Sequence, residues 1–214
     1  MTARPDFTLP EELLLLALDP LRGTPYCRNR FLQYGVVGAA LAELELQGRI
    51  TEERGRLSVI NPLPPHDPLL AAILASLPAP AKRRFSGSTS TYRMVRATGR
   101  EIEGRYLDHL VAQGALARER RRFLGLFPYY RHPAGPDDWS APVRERFAAA
   151  EAAGFPDPRS RLLAGLASAI GLSHAVTRRG RPGRSAMRAL VRPHWASHAV
   201  HRNVRQDKNS QNGN

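Results

Sequence analysis

Cysteine is almost absent from this sequence, in which Cys27 is the only one among 214 residues. A single cysteine cannot form an internal disulfide, and without a second one nearby it makes neither a zinc knuckle nor a CxxC redox pair. We therefore interpret Cys27 as an unreactive side chain.

Long apolar runs are also missing. Stretches such as LLLLAL (13–18) are broken by charge or proline well before the roughly 20 residues that a membrane-spanning helix needs. The opening segment MTARPDFTLPEE carries acids ahead of its apolar run, which is the wrong order for a secretory signal. We expect a cytoplasmic protein that does not cross a membrane.

Motifs of catalysis are missing as well. The sequence contains no GxSxG, Walker, GxGxxG or HExxH pattern. His194, His198 and His201 have the i, i+4, i+7 spacing of one helix face, but no Glu or Cys accompanies them and nearby arginines repel cations. We interpret these histidines as a solvated face, and we expect no enzymatic activity, no cofactor and no metal.

Basic residues, in contrast, are in large excess. The formal net charge is +13, and only Lys82 and Lys208 are lysines, a preference for arginine that suggests GC-rich coding. From Arg178 onward nine basic residues stand against the single acid Asp207. This excess predicts an anionic partner, either nucleic acid or the negative surface of a lipid leaflet. Removal of the chain after Gly180 is expected to weaken that attraction without abolishing headgroup preference.

Helical runs dominate the pattern of the chain. Helix starts are predicted at Thr8 and Asp67, each a capping residue ahead of proline and an apolar run. A second buried helix ends near Gly48, a later one spans about 92–113, and a last one spans about 185–204. Two short hairpins are predicted, around Arg54-Gly55 and in the segment after Gly114. The fold class is therefore all-α, a mainly helical core bundle with two short β-hairpins.

The predicted organisation is one helical domain with tails. The domain covers 8–204, a short tail precedes it at 1–7, and the polar segment 205–214 is expected to be disordered. The polar stretch 82–91 is predicted to be a loop.

Two groups of arginines are candidate ligands for an anion. Arg28 and Arg30 stand at the start of the second helix, and Arg93, Arg96 and Arg100 share one face of a later helix. The planar guanidinium suits bidentate contact with phosphate. From the residues alone, however, a solvated arginine face is the favoured interpretation.

The second hairpin carries aromatic and apolar residues at its far end. These residues are Leu126, Phe127, Tyr129 and Tyr130, next to Arg131. Such a tip suits a membrane-interface wedge, a subunit contact or an ordinary core strand, and the core strand is the default expectation.

Six segments of the chain stand in a recognisable order. They are TLPEELLLLAL (8–18), GVVGAALAELELQGRI (35–50), PPHDPLL (64–70), LVAQGAL (110–116), LGLFPYYRHP (124–133) and DPRSRLLAGL (157–166). In sequence and order they resemble the Golgi phosphoprotein 3 family, including its bacterial members, over about 8–204. The resemblance implies an all-helical core with short hairpins. It also implies a peripheral membrane protein that binds phosphatidylinositol 4-phosphate through a basic pocket.

The pocket residues of that family carry over only in part. Where the family has a tryptophan and an arginine near the second helix, this sequence has Arg28 and Val37. Of two family arginines three apart on the later helix, Arg100 matches the first and Glu103 replaces the second. The residues expected to hold the lipid phosphate are Arg100, Arg96, Arg28 and Arg30. Phe127 and His132-Pro133 match a hairpin that in the family is associated with self-association and membrane contact.

The expected function is thus binding of anionic phospholipid headgroups at the inner face of a membrane, with a homo-oligomer through the Phe127 hairpin as a further expectation. Nucleic-acid binding is the first alternative, because a helix followed by a hairpin occurs twice, as in winged-helix units. Against it, Glu43, Glu45 and Asp108 lie on the helices ahead of the hairpins, where phosphate would be repelled. A scaffold for protein tails, a role also known in the family, is the second alternative.

Overall fold

The computed structural model of the chain describes residues 7–78, 89–124, 126–136 and 138–212. In these ranges the chain is mainly helical and forms two small antiparallel sheets, which confirms the predicted fold class. The helices are α1 (Leu9–Ala17), α2 (Asn29–Leu46), α3 (Pro68–Ser76), α4 (Thr91–Ala112), α5 (Ser140–Ala152), α6 (Pro158–Ala169), α7 (Ser173–Val176), α8 (Gly180–Ala189) and α9 (Trp195–Asn212). The strands are β1 (Ile50–Glu53), β2 (Arg56–Val59), β3 (Thr89–Ser90), β4 (Glu119–Phe123) and β5 (Phe127–Arg131).

The predicted helix starts are confirmed by their capping contacts. The Thr8 N–H donates to Glu11 Oε2 at 2.7 Å, which closes the first turn of α1. The Asp67 carboxylate accepts the N–H of Leu70 at 2.7 Å at the start of α3. Every residue of α1 is buried, as its nearly continuous apolar run predicts.

Helix α2 is the centre of the molecule and packs against α1, α4, α6 and α9. Its small residues allow this crowding: a Cβ added at Gly38 would lie only 2.4 Å from Val200 Cγ2 on α9. The apolar side chains buried from α1 to α9 form one continuous cluster. None of the helices in the described ranges is long and apolar enough to cross a bilayer.

Two sheets flank the helices. Strands β1 and β2 form the predicted hairpin around Arg54-Gly55, and β3 adds a third strand that the sequence analysis did not predict. The rest of the predicted loop, 82–88, lies outside the described residues. Strands β4 and β5 form the second hairpin, in register Arg120 opposite Tyr130 and Arg121 opposite Tyr129.

The base of the second hairpin is fixed to the loop between α1 and α2. The His132 N–H donates to the Gly23 carbonyl at 2.9 Å. Gly23 has φ +63°, and a Cβ there would lie 2.3 Å from the nitrogen of Pro133. Only glycine fits this contact, so the hairpin leaves the body at a defined place.

The C-terminal segment differs from the prediction. In place of one helix over 185–204 the chain forms α8 and α9, with Pro193 between them, because proline removes a helical donor and clashes with the preceding turn. The disorder predicted for 205–214 is wrong for 205–212, which continue α9. Asp207 is buried in that stretch and anchors it to the body.

The predicted N-terminal tail, 1–7, lies outside the described residues except for Phe7. Phe7 is buried, and its ring packs edge-on against Trp139 with the centroids 5.3 Å apart. The chain therefore joins the core one residue earlier than predicted.

Candidate anion-binding surface

Two of the predicted arginines meet on one carboxylate. Arg30 Nε lies 2.6 Å from Asp207 Oδ2, and Arg96 Nη1 lies 3.0 Å from Asp207 Oδ1. The Tyr34 hydroxyl donates to the same carboxylate at 2.9 Å. Partial burial alone would raise the pKa of Asp207, but the hydrogen bonds from Tyr34 and Arg96 and the charge of Arg30 hold it below its ordinary value. Asp207 therefore stays ionised between the two guanidinium groups.

Two further cations stand beside this centre. Arg28 and Lys208 lie over the ring of Phe31, at 5.7 and 5.6 Å from its centroid. Arg28, the residue before α2, also donates to the side chain of Gln211 near the end of α9. The cluster thus joins the start of α2, one side of α4 and the end of α9.

Arg100 lies one turn beyond Arg96 in the part of α4 that packs on α2. Its neighbour Gly99 approaches Gln33 so closely that an added Cβ would lie 3.0 Å from the Gln33 Cβ. The Arg100 side chain is exposed, and it makes no ion pair with any residue that the structure describes. Arg100 is therefore free to contact a ligand.

Of the three altered positions of the family pocket, Arg28 is exposed, and Val37 and Glu103 are buried. Glu103 is 5% exposed, its Oε1 is buried without a hydrogen-bond partner in the described residues, and the nearby side chains of Gln33 and Asn29 lower its pKa only in part against burial. Burial raises the pKa of Glu103 to about 7, so its negative charge is partly suppressed at neutral pH. Val37 lies in the core and has no access to solvent. Neither residue can replace the contacts that the family's residues imply.

The cluster has an excess of positive charge and points to an oxyanion. Arg30 and Arg96 remain 58% and 37% exposed, so some of their N–H groups face solvent although they contact Asp207. The first turn of α2 contains no acid, and its free N–H groups carry the positive end of the helix dipole. A phosphate could bind here by charge-assisted hydrogen bonds from guanidinium groups of separate helices.

Sequence reasoning missed the residues of α9 that complete this cluster. Asp207 was visible only as the single acid of the basic C-terminal segment, and the segment holding Lys208 was expected to be disordered. The sequence around Asp207 and Lys208 therefore does not indicate which side chains they contact.

The tip of the second hairpin is exposed, so the expectation of a core strand is wrong. Leu126, Phe127 and Tyr130 are 77%, 64% and 58% exposed, and Leu124, which was not predicted, is 76% exposed. The reason is the position of the hairpin, which is held at its base and projects from the body. Tyr129 is closer to half-buried.

The opposite strand of this hairpin is strongly basic. Exposed arginines fill positions 120, 121 and 122, and each pairs in register with a residue of β5. The predicted Arg131 lies 5.5 Å from the Tyr129 ring centroid, and Arg118 lies 5.8 Å from that of Tyr130. Apolar tip and cationic strand therefore belong to one projecting element.

The histidines and the cysteine belong to no group that could hold a metal ion in the described residues. His194 precedes α9, and no group of three or more His, Cys, Asp or Glu that could hold a metal occurs in the described ranges. Burial raises the pKa of the Cys27 thiol to about 12, so the thiol stays protonated at neutral pH.

The helix ahead of the first hairpin cannot enter a nucleic-acid groove. Glu43 on α2 is buried and accepts the Leu9 N–H and Arg159, while Glu45 accepts the indole N–H of Trp195. Both acids therefore bind groups of the protein itself. They do not face a phosphate backbone, as was expected from the sequence. A recognition helix must be exposed, and α2 is the most enclosed of the long helices.

Comparison with known families gives one match that covers nearly the whole chain. The family model described as Golgi phosphoprotein 3 (GPP34) matches residues 9–206. A search of curated proteins finds no match.

Proposed function

We propose that this chain, which belongs to the Golgi phosphoprotein 3 (GPP34) family, binds anionic phospholipid headgroups and works as a peripheral, non-catalytic protein at the inner face of a membrane. The observation that carries the proposal is the convergence of Arg30 and Arg96 on one carboxylate, with Arg28 and Lys208 beside it and Arg100 one helical turn beyond Arg96 on α4. By family resemblance the headgroup is phosphatidylinositol 4-phosphate or a related phospholipid.

Asp207 has a specific part in this proposal. Its carboxylate satisfies the guanidinium groups while no ligand is bound, in the manner of an internal stand-in for phosphate. A lipid phosphate carries more charge and more acceptor oxygens than a carboxylate, so it can compete for the same N–H groups. Arg28 and Arg100 would then hold the remaining phosphate oxygens.

The second hairpin supplies the apolar half of membrane binding. Exposed Leu126 and Phe127 would enter the interface between headgroups and acyl chains, while arginines 120–122 meet the anionic surface. The loop that fixes the hairpin base, around Gly23, leads within a few residues to Arg28. Self-association through this hairpin is less favoured, because two copies would bring their rows of like charge together.

Liposome co-sedimentation tests the proposal directly. The full chain is mixed with neutral vesicles, with phosphatidylserine vesicles and with phosphatidylinositol 4-phosphate vesicles, at low and high salt. We expect binding only to the anionic vesicles and a decline with salt. Equal binding to neutral vesicles would overturn the proposal. Duplex DNA is added as a competitor, and preferential transfer to DNA would favour the nucleic-acid alternative.

Substitution of Arg100 tests the cluster itself. Loss of a charge-assisted hydrogen bond to phosphate should cost about 1.5 to 3 kcal/mol, so Arg100→Ala should lower affinity for phosphoinositide vesicles roughly tenfold or more. The control is Arg181→Ala on α8, which removes the same charge from an exposed position outside the cluster. If both variants lose the same affinity for phosphoinositide vesicles, the cluster is not a specific phosphate site, and only a general attraction to the membrane remains.

Substitution of Asp207 should have the opposite effect on binding to that of Arg100→Ala. Asp207→Asn keeps an acceptor for Tyr34 but removes the competing charge, so phosphoinositide binding should tighten. Glu145→Gln on α5 is the control, because it removes one negative charge from an exposed position outside the cluster. If both variants tighten binding equally, Asp207 is not a stand-in for the ligand.

A further inference from the structure

A second basic groove lies between α8 and α9. Its volume is about 590 Å³, within the range of roughly 300 to 1,000 Å³ that is typical of small-molecule sites. The cations that line it are Arg184 and Arg188 of α8, Arg192 of the following loop, and Arg205 and Lys208 of α9. Positions 205 and 207 point to nearly opposite sides of a helix, so Arg205 faces away from Asp207, whereas Lys208 lies at the boundary between the groove and the ring of Phe31.

The charges in this groove are uncompensated. No acidic side chain lines it, and none of its four arginines makes an ion pair with another residue in the described ranges. In the cluster at α2 and α4, by contrast, Arg30 and Arg96 contact Asp207. Like charges held at the walls of one concavity repel each other, and a bound anion would relieve that repulsion.

We propose that the groove is a separate site for a small ligand that carries two or more phosphate groups. Two phosphates bring a charge of roughly −3 to −4, which approaches the five fixed positive charges of the lining. The concave shape suits a compact ligand, whereas a duplex needs an extended surface that follows its backbone. The ligand is either a free phosphorylated compound or the headgroup of a phosphorylated lipid. This proposal does not depend on the function proposed above.

Histidines in the same groove would couple binding to protons. His201 is half-buried, and its pKa is lowered by burial and by the charges of Arg205, His198 and Lys208. The other titratable or charged groups that line the groove are His174 of α7, Arg184 and Arg188 of α8, and Arg192. A bound anion favours protonated imidazole, so binding should be accompanied by proton uptake at His201.

Isothermal titration calorimetry with inorganic pyrophosphate tests the site in the full chain. We expect saturable binding that Arg184→Gln and Arg188→Gln each weaken roughly tenfold or more. Arg181→Gln is the matched control, because it removes one arginine from α8 outside the groove, and it should change affinity less than about twofold. Circular dichroism checks that each variant is folded, and Arg188→Lys should retain part of the affinity because it keeps the charge.

Three results would overturn the proposal. The first is the absence of saturable pyrophosphate binding, and the second is an equal loss of pyrophosphate affinity in Arg181→Gln and Arg188→Gln. The third is displacement of pyrophosphate by duplex DNA to the same extent in the Arg181→Gln, Arg184→Gln and Arg188→Gln variants. Arg100→Ala must leave pyrophosphate affinity unchanged, which separates this site from the lipid cluster. If Arg188→Gln also weakens phosphoinositide vesicle binding, the source of the ligand is a lipid headgroup, and if it does not, the ligand is a free compound.

Discussion

The carboxyl group of Glu103 is buried in the fold, although its ionised form is more stable in water. Burial raises its pKa from 4.5 to about 7, so the unfolded chain ionises more readily than the folded one. The free energy of unfolding should therefore decrease as the pH rises from about 4.5 to about 7, and then level off. At about 1.4 kcal/mol for each unit by which the pKa is raised, the cost at pH 8 is on the order of 3 kcal/mol.

Glu103→Gln should remove this pH dependence. Urea unfolding of the variant should give a higher free energy of unfolding than the parent chain at pH 8, with a difference that vanishes near pH 4.5. The control is Glu145→Gln, whose exposed carboxyl should leave the pH profile of stability unchanged. A constant difference at all pH values would mean that Glu103 acts through packing and not through its ionisation.

Several arginines have structural contacts that have nothing to do with a ligand. Arg144 donates to the carbonyl of Leu18 at 2.8 Å, just past the end of α1. Arg159 contacts the buried carboxylates of Glu12 on α1 and Glu43 on α2. The net charge of +13 therefore overstates the number of cations available to a partner.

At the scale of elements, the second hairpin is the part whose function can be separated from stability. Leu126 and Phe127 are mostly exposed, so Leu126→Ser with Phe127→Ser should leave the melting temperature unchanged. Full burial of either side chain is worth about 1.5 to 3 kcal/mol, so loss of both from a membrane interface should lower vesicle affinity roughly tenfold or more. Co-sedimentation and thermal melts measure the two effects.

Leu63→Ser provides the control for this change, because Leu63 is 65% exposed but lies outside the hairpin. Sedimentation velocity of the double variant distinguishes a membrane wedge from a subunit contact. If the variant loses an oligomeric state and keeps its vesicle affinity, the hairpin is a subunit contact and the membrane wedge is wrong.

At the scale of the whole molecule, the basic C-terminal segment is part of the core. Met187 of α8, and Ala196, Val200 and Val204 of α9, are buried against the rest of the chain. A chain that ends after Gly180 should therefore fail to fold, contrary to the expectation that its removal only weakens membrane attraction. Proteolysis and circular dichroism check this, and a folded, helical truncated chain would contradict it.

The sequence by itself determined the features that depend on neighbouring residues. Thr8, Asp67 and Asp157 each precede an apolar run and each cap a helix, because the capping contact spans only three residues. The hairpin turn at Arg54-Gly55 follows in the same way from local turn chemistry. The class of the fold was therefore predictable.

Only the tertiary structure decided which of the many arginines act together. Tyr34 and Asp207 are 173 positions apart, and Arg96 and Asp207 are 111 apart, so no local pattern connects them. The order of 205–212 and the groove between α8 and α9 likewise depend on how α9 packs on α2, α4 and α6, and the exposure of the second hairpin depends on the contact of its base with the loop around Gly23. A polar segment is helical here because one buried carboxylate finds its partners on distant helices, and that pairing exists only once those helices are assembled.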